Sequence, residues 1–275
     1  MKKLWIIISL VVVFGSVLAG CNTGEGAEDQ VVKVGLNGSG VPIWEKIKEK
    51  AADEGIEIEL VEFADYVRPN LALADGDIDL NAFQTVSYFD AFIEERDLDL
   101  APIATTLIAP MGIYSEKYKD VSEIPDGSKI ALPKEATNMG RALLLLEKAG
   151  LIGLPEDFDG NGSIDKVEEN PKNLKLEPIV AGQTPRVLPD VAASIINNGV
   201  AVEAGFVPVK DAIFIEDDTA TPYINIIASR ADETDKEVFK EIVEIYQQED
   251  VATHIRKVYN DSLIPTFVPL DQIGW

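Results

Sequence analysis

From Val31 onward the chain alternates short apolar runs with stretches of helical spacing, and few folds accommodate that alternation. VVKVGLN at 31 to 37 is followed by Ile43, Trp44, Ile47 and Ala51, which fall on one helix face. Ile56, Ile58 and Leu60 alternate with Glu57 and Glu59 as in a half-buried strand, and Pro69 then opens and Gly76 closes a short helix. A strand at 78 to 83 and a helix at 86 to 95 complete a first set. A second set opens with KIALP at 129 to 133 and a helix from Asn138 to Ala149, with Gly150 in the terminating position. Residues 190–197 and 212–216 read as strands. YINIIASR at 223 to 230 is the apolar run that returns the chain to the first set, which helices at 234–247 and 249–259 close. Strands interleaved with helices predict an α/β fold with parallel-rich sheets covered on both faces and a ligand at the carboxyl ends of the strands. Two such sets predict lobe I at 30–109 and 224–275 and lobe II at 110–223.

The start of the chain carries different information. Lys2 and Lys3 precede an apolar stretch from Leu4 to Phe14, and Leu18-Ala19-Gly20 stands directly before Cys21. Basic residues, an apolar core and small residues in that order read as a secretory signal, too short to span a bilayer. Leu-Ala-Gly-Cys resembles a bacterial lipobox, which implies removal of residues 1–20 and a lipid on Cys21. Cys21 is the one cysteine, so no internal disulfide can form in this exported chain. Residues 21–29 are small and acidic with no apolar period, as in a flexible tether. What remains is long for one compact domain and comfortable for two. With 24 basic against 48 acidic side chains, nucleic acid and anionic lipid surfaces are repelled rather than attracted.

Several polar residues stand where only a partner would justify them. Thr137 or Asn138 is a good N-cap, which puts Arg141 in the first turn of a helix whose free amides and dipole already favour an anion. An arginine there can grip a carboxylate through both arms of its fork. Asn197 and Asn225 lie in or at the end of apolar strands, where an amide is costly unless bonded, and an amino group needs neutral acceptors of that kind.

Four stretches resemble the methionine-binding lipoprotein family of ABC importers, the NlpA family: VEFADYVRPNLALADGDIDLNAF at 61 to 83, MGIYS at 111 to 115, TNMGRALLLLEKAGLI at 137 to 152 and ENPKNLKL at 169 to 176. SIINNG at 194 to 199 and TPYINII at 221 to 227 match in order as well. The resemblance implies a two-lobed, type II periplasmic-binding-protein-like fold with a hinged cleft. It implies a lipid-anchored extracytoplasmic protein that delivers methionine to permease and ATPase subunits. It identifies Arg141 as the ligand's carboxylate anchor, Asn197 and Asn225 as ligand-binding asparagines, and Tyr66, Phe83 and Tyr88 as walls around a thioether, which packs well at ring edges. Asn138 and Thr85 complete the expected ligand set. Thr85 departs from the family, many of whose members carry His in a pattern like FQHxPYL. L- or D-methionine, another apolar amino acid and a methionine dipeptide therefore all stay open as ligands.

Residues 157–168, DFDGNGSIDKVE, have the spacing of an EF-hand calcium loop, with Asp157, Asp159, Asn161, Ser163, Asp165 and Glu168 at the ligand positions and Gly162 at the turn. The expectation is a structural Ca²⁺ clip in lobe II, although Pro155 and Pro171 stand close on either side. That loop also supports an alternative function, a surface-anchored calcium-dependent interaction protein. An enzyme is not expected: no GxSxG, GxGxxG or P-loop string occurs, no reactive cysteine is present, and the one histidine is His254 in a C-terminal helical pattern.

Overall fold

The computed structural model describes residues 31–217 and 221–275, so residues 1–20, Cys21 and the tether at 21–29 lie outside the described residues. Strand β1 (Val32–Leu36) leads into helix α1 (Val41–Asp53), where Pro42 sits in the first turn and Ile43, Trp44, Ile47 and Ala51 are buried along one face. Gly55, at φ +83°, turns the chain into β2 (Ile58–Glu62). Helix α2 (Arg68–Ala74), β3 (Leu80–Thr85), α3 (Val86–Arg96) and β4 (Leu100–Ile108) follow. The chain then leaves through Ala109 and Pro110 for β5 (Gly112–Tyr114), β6 (Lys129–Pro133), α4 (Ala136–Lys148), β7 (Lys175–Ile179), β8 (Ala193–Ile196), α5 (Asn198–Glu203), α6 (Pro208–Asp211) and β9 (Phe214–Ile215). It returns as β10 (Ile224–Arg230), α7 (Glu237–Tyr246), α8 (Glu249–Val258) and β11 (Ile264–Pro265).

The strands form two sheets, ordered β11-β4-β10-β3-β1-β2 and β7-β6-β8-β5-β9. Each has a parallel half, β3-β1-β2 in the first and β7-β6-β8 in the second. The sheets are more mixed than the alternation of strands and helices predicts. Strand β10 enters from the second sheet and inserts antiparallel between β3 and β4, while β5 runs antiparallel to β8. Of the strands that the periodicity does not mark, β4 and β7 contain Pro102 and Pro178 in their ladders. Pro178 is tolerated on an edge, and Pro102 faces Ala228 where the β10 register shifts, so neither removes a needed ladder bond.

Each sheet has its own core. The first gathers β1, α1, α7 and α8 around Trp44, Ile47, Phe239, Ile242 and Ile255, all nearly inaccessible. The second packs Leu143, Leu145 and Leu146 of α4 against Ile130 and Ile195. The lobes also touch. The Asn198 amide donates to the carbonyls of Pro110 (3.2 Å) and Ser262 (2.9 Å), and the Ser39 N–H donates to the Glu203 carboxylate at 2.9 Å. Among the described residues no helix is long and apolar enough to cross a membrane.

Candidate functional site

Between the two sheets, at the carboxyl ends of β1, β3 and β8, lies a cavity of about 110 Å³. All eight residues named above as a ligand set line it: Tyr66, Phe83, Thr85 and Tyr88 from the first lobe with Asn225 of the returning strand, and Asn138, Arg141 and Asn197 from the second. The aromatic wall is a triangle of rings. Tyr66 stacks on Phe83 at 6.1 Å between centroids, and Tyr88 meets both edge-on at 6.3 Å. The Tyr88 hydroxyl donates to the Tyr66 carbonyl at 2.8 Å, tying α3 to the loop before α2. Burial pushes the phenols of Tyr66 and Tyr88 well above the ordinary tyrosine range, so both are neutral donors. Thr85, the departure from the family pattern, caps α3: its hydroxyl accepts from the Tyr88 N–H at 3.2 Å. Behind this wall Asn70, Asn81 and Gln84, all buried, exchange amide hydrogen bonds of 2.7 to 2.9 Å that lock β3 to α2.

The polar side differs from the expectation in two respects. Helix α4 starts at Ala136 with Glu135 as N-cap, so Thr137 and Asn138 are inside the helix and Arg141 stands in its second turn rather than at the amide-rich end. The guanidinium is also already engaged. Its Nε lies 3.0 and 3.1 Å from the two carboxylate oxygens of Glu216, its Nη2 bonds both Glu216 and the Ala109 carbonyl (3.0 Å), and the Tyr223 ring stacks on it at 4.2 Å. The two-armed grip on a ligand is therefore not free, because Glu216 holds one edge of the fork.

The asparagines present the opposite situation. The Asn197 amide nitrogen donates to Asn138 Oδ1 at 2.9 Å, and Asn197 occupies the N-cap position of α5 without its side chain capping the helix. Its own Oδ1, together with Oδ1 of Asn225 and of Asn37, is buried with no partner, and all three residues line the cavity. The Oδ1 of Asn198, a fourth lining residue, is likewise unpaired, and such a set of acceptors suits a group with several N–H donors. Asn37, Asn198 and Glu216 are members of the site that sequence reasoning missed. Asn37 ends an apolar strand just as Asn197 does, and that shared placement could have found it. No such signal marks Glu216, which sits in the acidic run IEDD.

In the loop at 157–168 several of the candidate calcium ligands hydrogen-bond to one another. Among the described residues no three His, Cys, Asp or Glu side chains stand close enough together to hold a metal ion. Asp159 accepts from the Asn161 N–H at 2.8 Å, the Ser163 hydroxyl donates to Asp165 at 3.0 Å, and Glu168 enters a bridge between Gly153 and Glu169 through its backbone. A short 3-10 turn, Ile164–Lys166, stands where an EF-hand would place a helix. The loop packs on α4 instead, with the Gly160 carbonyl pressed against Gly140. His254 bonds the Pro42 carbonyl at 3.1 Å and is not among the described residues that line the cavity.

Comparison with known proteins agrees with this architecture. The model of the NlpA lipoprotein family matches residues 32–267. The chain is 41% identical over 251 residues to the D-methionine-binding lipoprotein MetQ of Escherichia coli, covering 90% of this chain and 92% of that protein. It is 37% identical over 274 residues to the lipoprotein YhcJ of Bacillus subtilis, covering 100% of this chain and 97% of that one. Among solved structures, a nutrient-binding protein from Burkholderia cenocepacia bound to methionine superposes with a TM-score of 0.83 at 38% identity, covering 86% of this chain and 100% of that one. Matched by the family model from its first strand to beyond its last, and sharing both sequence and two-lobed fold with these relatives, the chain belongs to the NlpA lipoprotein family and is a substrate-binding protein, not an enzyme.

Proposed function

We propose that this protein captures methionine, or a close relative such as another apolar amino acid or a methionine dipeptide, and delivers it to the permease and ATPase of an ABC importer. The observation that carries the reading is the polarity of the cavity: the unpaired carbonyls of Asn37, Asn197 and Asn225 suit an ammonium, Arg141 suits a carboxyl group, and the ring triangle of Tyr66, Phe83 and Tyr88 suits an apolar or thioether side chain. Relatives named for D-methionine and a neighbour solved with methionine support the same ligand. Cys21, with Leu-Ala-Gly before it, is then the lipid anchor that holds the protein on the outer face of the cell membrane.

Native mass spectrometry of the purified protein, followed by calorimetry with L-methionine, D-methionine and a methionine dipeptide, tests it. At least one should bind, and Arg141→Ala should weaken that binding by about 2 to 5 kcal/mol, because the loss leaves buried charge uncompensated. Arg141→Lys should restore only part, since lysine lacks the planar fork. The reading fails if none of these ligands binds, or if Arg141→Ala binds within about threefold of the parent, a difference well under the cost expected for such a charge pair.

A further inference from the structure

We propose that Glu216 is a specificity-determining residue: by occupying Arg141 it leaves the ligand a single nitrogen and little net charge, so the site accepts a neutral carbonyl nearly as well as a carboxylate. The inference rests on the amino-acid reading above and concerns the end of the ligand that Arg141 faces.

A guanidinium has about five N–H donors in a fixed fork. At Arg141 the Nε hydrogen goes to Glu216, and the two on Nη2 go to Glu216 and to the Ala109 carbonyl. Among the described residues only Nη1 has no partner, so a ligand oxygen has that nitrogen to itself and cannot bridge two. The side chains of Arg141 and Glu216 are only 4% and 10% exposed, so water screens neither charge well. A carboxylate arriving at Nη1 meets a cation already matched by an anion, with that anion as a close like-charged neighbour. A carbonyl oxygen accepts the same hydrogens without the repulsion.

Glu216 is not poised to leave. Its carboxylate accepts from the Met111 N–H at 3.1 Å, and its own N–H donates to the Met111 carbonyl at 2.9 Å. Ala109 and Met111 belong to the first passage between the sheets, and Glu216 and Tyr223 flank the second, so Arg141 ties both passages together. The ammonium cradle of Asn37, Asn197 and Asn225 is untouched by this pairing and carries the polar recognition. The ligand class that follows is an apolar α-amino carbonyl compound with a free amine, which includes amino-acid amides and peptides with that residue at their amino terminus.

Calorimetry with methionine and methioninamide on the intact protein is the test. The parent should prefer the acid by less than about tenfold, since a paired guanidinium gains little from the extra charge. Glu216→Gln keeps the side-chain length and removes the charge, and should widen that preference by about tenfold through tighter binding of the acid. Glu216→Asp keeps the charge and should leave the ratio as in the parent. A parent that prefers the acid more than about tenfold, or a ratio that Glu216→Gln leaves unchanged or lowers, overturns the proposal. If the parent binds neither of these nor D-methionine or a methionine dipeptide, the amino-acid reading itself fails, and the proposal falls with it.

Discussion

An unpaired acceptor buried in a protein costs about 1 to 3 kcal/mol, so four of them on residues around one cavity call for a ligand that satisfies them. Asn225→Ala removes one such carbonyl from β10, beside its cross-strand partner Thr85. A hydrogen bond to a charged group is worth about 1.5 to 3 kcal/mol, so affinity for an amine-bearing ligand should fall about tenfold to a hundredfold. The unliganded protein should melt no lower than the parent, since the lost oxygen had no partner. Calorimetric titration and calorimetric melting of the same variant check both parts, and a drop in melting temperature without a drop in affinity would make Asn225 a packing residue. At this scale the site was largely legible, because its members are polar or aromatic residues set in apolar strands or in stretches that resemble a known family. Glu216 was not legible, since its partner Arg141 lies 75 residues away and only the fold brings them together.

At the scale of elements, the periodicities found most helices and all the parallel strands but β7, since their apolar faces repeat in register with their period. They did not find β4 and β7, each of which contains a proline, nor the antiparallel insertion of β10, a property of the returning path that local pattern does not encode. The EF-hand spacing at 157–168 is a local pattern that does not say where its loop rests. Where it rests can be tested at Gly140 of α4. A Cβ there would lie 1.8 Å from the Gly160 carbonyl, and Gly160 is itself held at φ +83°. Inside an exposed helix Gly→Ala would stabilise by up to about 1 kcal/mol. Here Gly140→Ala must push the loop off the helix and should destabilise by about 1 to 3 kcal/mol. Chemical denaturation reads the sign directly, and a gain in stability would show that the loop does not rest on α4.

For the whole molecule, the buried phenols set an alkaline limit. Burial pushes Tyr66, Tyr88, Tyr114, Tyr246 and Tyr259 above the usual tyrosine range, and it pushes Tyr223 up to about 12 even though the charge of Arg141 beside it acts in the opposite direction. These rings are spread over both cores and the cleft, with Tyr246 against Trp44, Tyr114 against Phe206 and Tyr223 over Arg141. Each has a folded pKa above its unfolded value of about 10, so the folded chain holds the phenolic proton more tightly than the unfolded chain does. Their stabilisation is complete below pH of about 10 and is lost as pH rises through the folded values, because the unfolded chain ionises first. The chain already carries a net charge of −24, so every phenolate adds to a repulsion that favours expansion. The expected outcome is a cooperative loss of structure in alkali, with phenolate absorbance and loss of circular dichroism rising together as pH climbs beyond about 10. If these phenols ionise reversibly near their ordinary value while the dichroism of the folded chain persists, then burial does not hold their protons and the two lobes are more open to water than their cores indicate.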